Sequence, residues 1–397
     1  MPLDVAAARA LTPGCEHVLH LNHAGASLLP QPVLDAMVGH LELEARIGGY
    51  EAATAAEAEL RRPYTALSQL LGAQPEDIAL LDSASRAWAT AVYSLPLQAG
   101  DRVLISRAEY GANAIALLQL RARTGCELVL IDDDDHGQID LEALERALDQ
   151  GETALVSLVH VPTQSGLVNP AVEVGRLCRE AGVLFVLDAC QSAGQLPLDV
   201  RELGCAILTG NGRKFLRGPR GTGYLWMDPD LASRIEPAML DLRSADWVAP
   251  DRYELRPGAG RFEIWERDAA AQIGLGVAVE HALSWGIDAI EGCVTALAAG
   301  LRTRLAALPG VTVRDRGERL CAITTFTLDG VDPWTIQTRL HEQAMNVSVS
   351  TLDSAQLDLS ARGLDAVVRA SVHYTTTDDE LDAFAEAVSS IAAAPAS

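Results

Sequence analysis

The sequence contains almost no lysine. Of its 31 basic residues, Lys214 is the one lysine and all the others are arginine. An arginine bias can arise from a GC-rich genome, and a single lysine can survive on the surface by chance. A lysine amine can nevertheless form an imine with an aldehyde, whereas a guanidinium stays protonated and cannot. Lys214 is therefore a candidate for covalent chemistry, with an ordinary surface lysine as the alternative.

Paired cysteines, excess basic charge and long apolar runs are also lacking. The seven cysteines are scattered without a C-x-x-C pair, which favours reduced thiols over a disulfide framework or a zinc site. The net charge of −23 argues against binding to nucleic acid or to anionic lipid. No run reaches the ~18 apolar residues of a membrane span, and the N-terminus lacks a signal-peptide pattern. We expect a cytoplasmic protein that uses no metal.

Short apolar runs alternate with amphipathic helical patterns through the first two thirds of the chain. This alternation predicts an α/β domain around a mostly parallel sheet, which binds ligands beyond the carboxyl ends of its strands. The predicted strands are 102–106, 127–131, 154–160, 183–187, 206–209 and 223–227, with helices such as 140–148 and 172–181 between them.

The pattern changes after about residue 268, where long helices and isolated strands predict a smaller α+β domain. Its last helix begins with a capping box formed by Thr377 and Glu380. We divide the chain into an N-terminal segment (1–25) that packs with the small domain, a large domain (26–268) and a small C-terminal domain (269–397). The small domain is predicted to contain helices at 269–284, 296–307, 334–343 and 378–391 and strands at 311–313, 322–328 and 367–373.

An aspartate and a glycine-rich turn flank Lys214 in the sequence. Asp188 ends the apolar run 183–187, and the turn 218–223 follows the lysine. Alone, the aspartate indicates a cap and the glycines indicate a turn. Together with the lysine they match what pyridoxal phosphate (PLP) requires: an amine for its aldehyde, a carboxylate for its ring nitrogen and backbone N–H groups for its phosphate. The combination predicts a Schiff base between Lys214 and PLP.

These motifs resemble the class V aminotransferase-type enzymes of PLP fold type I. That group contains cysteine desulfurases, isopenicillin N epimerase-like proteins and the C–S lyases of ergothioneine biosynthesis. The resemblance extends from residues 21–25 to 369–374, and Asp188, Gln191, Lys214 and the 218–221 turn are its most specific part. It implies a large domain with a mostly parallel sheet, a smaller C-terminal domain and a homodimer with shared active sites.

The resemblance also implies roles for individual residues. Asp188 pairs with the ring nitrogen, and Lys214 also moves the proton at the substrate Cα. Arg369 holds the α-carboxylate of a small amino-acid substrate. The ring-stacking position falls strictly on Gly111, so the nearest aromatic, Tyr110, is the candidate. Further cofactor contacts are expected from Ala84, Ser85, Thr163, Gln191, Asn211 and Arg213, and further substrate contacts from Asn22, His23 and Tyr50.

The sequence also bears on which reaction follows deprotonation of the substrate. Cysteine desulfurases carry a loop cysteine that takes up sulfur as a persulfide, and the corresponding stretch 345–352 has none. A serine hydroxyl cannot replace a soft, low-pKa thiolate in this step. We therefore favour a lyase that cleaves the C–S bond of a cysteine conjugate to pyruvate and ammonia. The alternatives are an aminotransferase or epimerase of specialised metabolism, then a desulfurase, then a non-catalytic binding protein.

Overall fold

The computed structural model describes residues 3–393. Its helices are α1 (Val5–Ala10), α2 (Gln31–Ile47), α3 (Gly49–Ala55), α4 (Glu57–Leu71), α5 (Ala84–Tyr93), α6 (Gly111–Thr124), α7 (Leu141–Asp149), α8 (Ala171–Ala181), α9 (Val200–Leu203), α10 (Pro229–Arg234), α11 (Ala269–Trp285), α12 (Ile287–Ala306), α13 (Pro333–His341), α14 (Leu352–Ala361) and α15 (Asp378–Ala393). Its strands are β1 (Leu19–His20), β2 (Ile78–Leu81), β3 (Arg102–Ser106), β4 (Glu127–Ile131), β5 (Thr153–Val159), β6 (Leu184–Asp188), β7 (Ile207–Asn211), β8 (Gly223–Met227), β9 (Ala245–Ala249), β10 (Arg252–Leu255), β11 (Val311–Val313), β12 (Ile323–Leu328), β13 (Met345–Asn346), β14 (Ser348–Thr351) and β15 (Ala366–Ser371).

A seven-stranded sheet forms the centre of the large domain. Its strand order is β2-β8-β7-β6-β5-β3-β4, and β8 runs antiparallel to both neighbours while β7, β6, β5, β3 and β4 are parallel. Strands β7 and β8 are buried along their whole length, as expected for strands covered on both faces. The predicted α/β class with a mostly parallel sheet is confirmed, and the carboxyl ends of β5, β6 and β7 meet at one edge.

A second, four-stranded antiparallel sheet has the order β11-β12-β15-β14. The N-terminal segment contacts this sheet through a bridge between Asn22 and Ser371 of β15, and β1 pairs with β13 in a separate two-stranded sheet. The capping box at the start of α15 forms as expected, with reciprocal bonds between Thr377 and Glu380. Helix α11 packs against α2 and α4 of the large domain, and the proposed boundaries at 25/26 and 268/269 stay predictions.

A buried arginine ties the segment after Lys214 to both ends of the chain. Arg217 is 1% exposed and donates from its guanidinium to the Leu28 carbonyl, the Thr12 hydroxyl and the Tyr374 hydroxyl. Its backbone N–H donates to the Lys214 carbonyl at 2.9 Å. Charge-assisted bonds of this kind hold their partners firmly, so the lysine segment is fixed relative to the N-terminal segment and to the small domain.

Among residues 3–393, no single helix has the length and apolar composition needed to cross a membrane, although the bent pair α11–α12 satisfies both criteria jointly.

Two helical glycines differ in their surroundings, so substitutions at them test the effect of close packing separately from that of helix propensity. A Cβ on Gly175, in α8, would collide with the Leu203 carbonyl, whereas a Cβ on Gly292, in α12, would meet nothing within 4 Å. We expect Gly175→Ala to lower the free energy of unfolding by about 1–3 kcal/mol through overpacking. We expect Gly292→Ala to raise it by about 0.5–1 kcal/mol, because alanine favours helix. Denaturant unfolding of both variants tests this, and equal effects would contradict the packing described here.

Candidate active site

A cleft of about 650 Å³ opens at the carboxyl ends of β5, β6 and β7. Asp188 ends β6, Asn211 ends β7, and Lys214 follows three residues later, so parallel pairing brings all three to one edge. The cleft is lined by Asp82, Ser83, Ala84, Ser85, Tyr110, Asn113, Val159, Val161, Thr163, Asp188, Cys190, Gln191, Asn211, Arg213, Lys214, Gly221 and Thr222. All nine residues that the sequence predicts to contact a cofactor therefore line this cleft.

Lys214 lies in a closed turn at the wall of the cleft. The Gly218 N–H donates to the Gly212 carbonyl at 2.7 Å, and the Lys214 N–H donates to the Asn211 side-chain oxygen at 3.3 Å. The side chain is 9% exposed, and burial lowers the lysine pKa to about 8. A larger share of the amine is thus neutral near physiological pH, which is the form that attacks a carbonyl carbon.

Asp188 is a buried carboxylate held by donors on two sides. The Cys190 N–H donates to Asp188 Oδ1 and Asn113 Nδ2 donates to Asp188 Oδ2, both at 2.9 Å. These two bonds fix the orientation of the carboxylate at the edge of the cleft. An ionised Asp188 facing the cleft can hold a proton on the nitrogen of a bound heterocycle.

The N-terminus of α5 forms one wall of the cleft. The Ser83 side chain caps this helix by accepting from the Arg86 N–H, and Ala84 and Ser85 also line the cleft. A Cβ on Gly223 would collide with the Ser83 and Ala84 backbone, so the glycine allows β8 to approach this turn. Free N–H groups and the positive end of the helix dipole suit a phosphate.

Arg369 lies beside the cleft and is only 6% exposed. Its guanidinium donates to the oxygens of Thr163 and, at 3.4 Å, to Asn22 Oδ1, while its Nε has no partner among the described residues. Burial, together with the nearby Arg213 cation, lowers the Arg369 pKa to about 10. A buried cation with a free donor is suited to a carboxylate, which would accept from it in a bidentate pair.

Arg213, Asn211 and Gln191 line the cleft but also make internal bonds. Arg213 donates to the Gly25 carbonyl, Asn211 Nδ2 donates to the Cys190 carbonyl at 3.5 Å, and Gln191 Nε2 donates to the Ala24 carbonyl at 3.1 Å. The Gln191 Oε1 atom has no partner in the described part of the chain. These bonds fix the side chains at the positions where contacts to the cofactor were predicted.

None of the four predicted substrate contacts is among the residues that line the cleft. Asn22 lies beside Arg369, whose guanidinium donates to its Oδ1, whereas among the described residues neither His23 nor Tyr50 forms a hydrogen bond with Arg369 or Asn22. His23 is 1% exposed in a cluster of imidazoles, with its ring centroid 4.9 Å from that of His373 and its Nδ1 bonded to Ser27 Oγ. Tyr50 lies on α3 and is 76% exposed, and its predicted contact with the substrate stays a prediction. Tyr110 lines the cleft, whereas Gly111 does not. A Cβ on Gly111 would collide with the Asp353 carbonyl.

Sequence reasoning missed the side chains that support Asp188. Asn113 bonds Asp188 directly, and the buried Glu109 bonds Asn113 from the other side. Both follow β3, and their spacing of four residues across the start of α6 was the available signal. The cleft thus offers a lysine amine, a carboxylate and a helix N-terminus, which fit the aldehyde, the ring nitrogen and the phosphate of PLP respectively.

Comparison with known proteins agrees with this fit. The family model described as "Aminotransferase class-V" matches residues 19–384. A probable hercynylcysteine sulfoxide lyase of Mycobacterium tuberculosis is 31% identical over 95% of this chain and 91% of its own. A probable cysteine desulfurase of Methanothermobacter thermautotrophicus is 27% identical over 95% of both chains. The solved cysteine desulfurase of Thermococcus onnurineus superposes with a TM-score of 0.92 at 23% identity, covering 99% of this chain and 98% of that one.

The match covers both sheets and every residue that lines the cleft, since it extends from β1 into α15. Together with the lysine, aspartate and helix N-terminus in the cleft, it shows that this chain belongs to the class V aminotransferase family and is a PLP-dependent enzyme of fold type I.

Proposed function

We propose that this enzyme is a lyase that cleaves the C–S bond of a cysteine conjugate. The substrate and one water would give pyruvate, ammonia and the thiol, or the sulfenic acid when the substrate is a sulfoxide. The observation that carries the proposal is the structure of residues 345–352, where desulfurases place their sulfur-accepting loop. This stretch contains no cysteine, and all of it except Val347 belongs to β13, β14 or the start of α14.

Strand β14 leads directly into α14, because Thr351 ends the strand and Leu352 begins the helix. Ser350 Oγ donates to the Thr163 carbonyl at 3.1 Å, and the Asp353 backbone lies against Gly111. These two contacts hold the segment against the large domain and so disfavour movement of a nucleophile in and out of the cleft. The structure of this region therefore supports release of the sulfur fragment rather than its transfer to the protein.

The cleft contains one other thiol that could accept sulfur. Cys190 is the one cysteine of the seven that lines it. Burial, and next the negative charge of Asp188, raise the Cys190 pKa well above its usual range. The thiolate is the nucleophilic form, so Cys190 is poorly suited to form a persulfide.

The residues of the chain divide the work of the reaction. When bound, PLP supplies an electron sink for the negative charge that develops at the substrate Cα. Arg369 binds the α-carboxylate, Asp188 keeps the ring nitrogen protonated, and the N-terminus of α5 with Ser85 binds the phosphate. Lys214 removes the proton from Cα, after which the sulfur substituent leaves from Cβ. In this proposal the remaining cofactor contacts are made by Gln191, Asn211, Arg213, Tyr110 and Thr163.

A cysteine desulfurase is the second candidate, because several similar proteins carry that name. The two activities differ in product, since a desulfurase converts cysteine to alanine and leaves sulfur on a protein thiol. An aminotransferase would instead pass the amino group to an α-keto acid, and an epimerase would invert Cα. The relative named as a hercynylcysteine sulfoxide lyase supports the first candidate.

We also propose that the enzyme is a homodimer whose active sites lie at the interface. Large apolar side chains are exposed on α2, α3 and the segment 239–265, which includes the β9–β10 hairpin. Several large apolar side chains exposed along one segment are typical of a protein interface. The segment is bonded to β2, since Glu263 Oε1 accepts from the Leu80 N–H, and Asp82 of the cleft lining follows that strand. The exposed side chains are Leu34, Val38, Leu41, Ile47, Tyr50, Met239, Leu242, Trp247, Val248, Tyr253, Ile264 and Trp265.

The reaction is tested with a panel of cysteine S-conjugates and their sulfoxides. We expect at least one to yield pyruvate and ammonia in equal amounts, and we expect cysteine with a reductant to yield little alanine. Lys214→Ala is expected to abolish pyruvate formation, since no other lysine can replace it. Alanine as the main product, or amino transfer to a keto acid with no pyruvate from the panel, would rule out the lyase.

The role of Arg369 is tested with Arg369→Lys. A lysine keeps the charge but not the bidentate geometry, so KM for the amino acid should rise about 10–100-fold with a smaller change in kcat. Arg362→Lys is the matched control, because Arg362 pairs with Asp358 outside the cleft lining. An unchanged KM in Arg369→Lys would contradict the assignment.

The dimer is tested by sedimentation of the wild type and of Trp247→Glu/Trp265→Glu. We expect a dimer that the double substitution converts to monomer, because two charges would be buried at the interface. Trp334→Glu on α13 is the control, since Trp334 is similarly exposed but lies outside the proposed patch. A monomeric wild type at micromolar concentration would contradict the proposal.

A further inference from the structure

Glu109 is a buried carboxylate that does not line the cleft. It is 2% exposed and accepts three hydrogen bonds: from Ser157 Oγ at 2.8 Å, from Asn113 Nδ2 at 3.0 Å and from the Tyr110 N–H at 2.9 Å. Burial raises the Glu109 pKa to about 7, and the same hydrogen bonds oppose that shift. Burial of an acidic group is unfavourable unless hydrogen bonds replace those it made with water, and these three bonds do so.

Asn113 connects this carboxylate to Asp188. Its Nδ2 donates to Glu109 Oε1 at 3.0 Å and to Asp188 Oδ2 at 2.9 Å, so both amide hydrogens are used. An amide can rotate by half a turn and present its oxygen instead of its nitrogen. With an acceptor on each side, the nitrogen must lie between them. Glu109 therefore fixes the orientation of the amide that faces Asp188.

We propose that Glu109 is a positioning residue that, through Asn113, keeps the Asp188 carboxylate ionised against the cofactor ring nitrogen. The Asn113 N–H favours the charged form of Asp188 and so leaves the shared proton on the ring. If the amide turned, its oxygen would face Asp188 and would favour the protonated carboxyl. The proton would then leave the ring nitrogen. This inference concerns the cofactor and holds whichever product the enzyme forms.

Two substitutions at position 109 separate orientation from charge. Glu109→Gln keeps an oxygen that accepts from Asn113 and Tyr110, and its amide N–H can donate to Ser157 Oγ. Glu109→Leu has a similar size but removes the acceptor, which frees the Asn113 amide to turn. The control is Ser157→Ala, which removes a buried hydrogen bond to the same carboxylate without touching Asn113.

The readout is the ¹⁵N chemical shift of the ring nitrogen in holoenzyme reconstituted with ¹⁵N-labelled PLP. We expect the protonated value in wild type, Glu109→Gln and Ser157→Ala, and a shift toward the unprotonated value in Glu109→Leu. The turnover rate of Glu109→Leu should fall about 10–100-fold, as is typical when a group that orients a functional side chain is lost. The KM for the amino acid should stay near the wild-type value, because Arg369 is unaffected.

A Glu109→Leu holoenzyme with wild-type ring protonation would show that Glu109 only supports the fold. An equal shift in Glu109→Gln and Glu109→Leu would show that charge, rather than orientation, matters. Either result overturns the proposal. If Glu109→Leu does not fold, Asn113→Leu removes the bridging amide directly and must give the same ¹⁵N displacement. An unchanged signal in that variant also overturns it.

Discussion

The ionised carboxylate of Asp188 depends on groups from three separate parts of the large domain. Strand β6 places it, the N–H of Cys190 and the amide of Asn113 on α6 bond it, and Glu109 orients that amide. A charge buried without such partners would be neutralised, and in the proposed site the ring nitrogen of the cofactor would lose its counterion. The parallel register of β5 and β6 and the turn after β3 must therefore be correct before the cleft can function.

Most buried strands of the large sheet were predictable from sequence, because short continuous apolar runs that alternate with amphipathic helical patterns are typical of buried parallel strands. The predictions at 102–106, 127–131 and 223–227 coincide with β3, β4 and β8. Strand β2, an apolar run of four residues, was missed because it precedes the alternation of strands and helices that begins at residue 102. The β9–β10 hairpin was missed because its largely exposed residues show no apolar pattern. Helix α12 begins nine residues before its predicted start, directly after a non-helical glycine, Gly286.

Within the site, the residues with a distinctive chemistry were the predictable ones. Lys214 was identified by its rarity and Asp188 by its place at the end of an apolar strand. Glu109 and Asn113 were not, because their roles depend on how the turn before α6 folds back on Asp188. His23 occupies a buried imidazole cluster rather than the cleft, since the N-terminal segment turns its side chain toward His373. Long-range packing of this kind has no local sequence signal.

The direct junction between β14 and α14 limits where a mobile, sulfur-accepting cysteine could be introduced into this fold. A cysteine placed at Ser348 or Ser350 would sit on a paired strand rather than at the tip of a flexible loop. A longer side chain at Gly111 would in turn push against the Asp353 backbone. Acquiring a sulfur-relay activity would therefore require inserted residues between strand and helix, and not a point substitution.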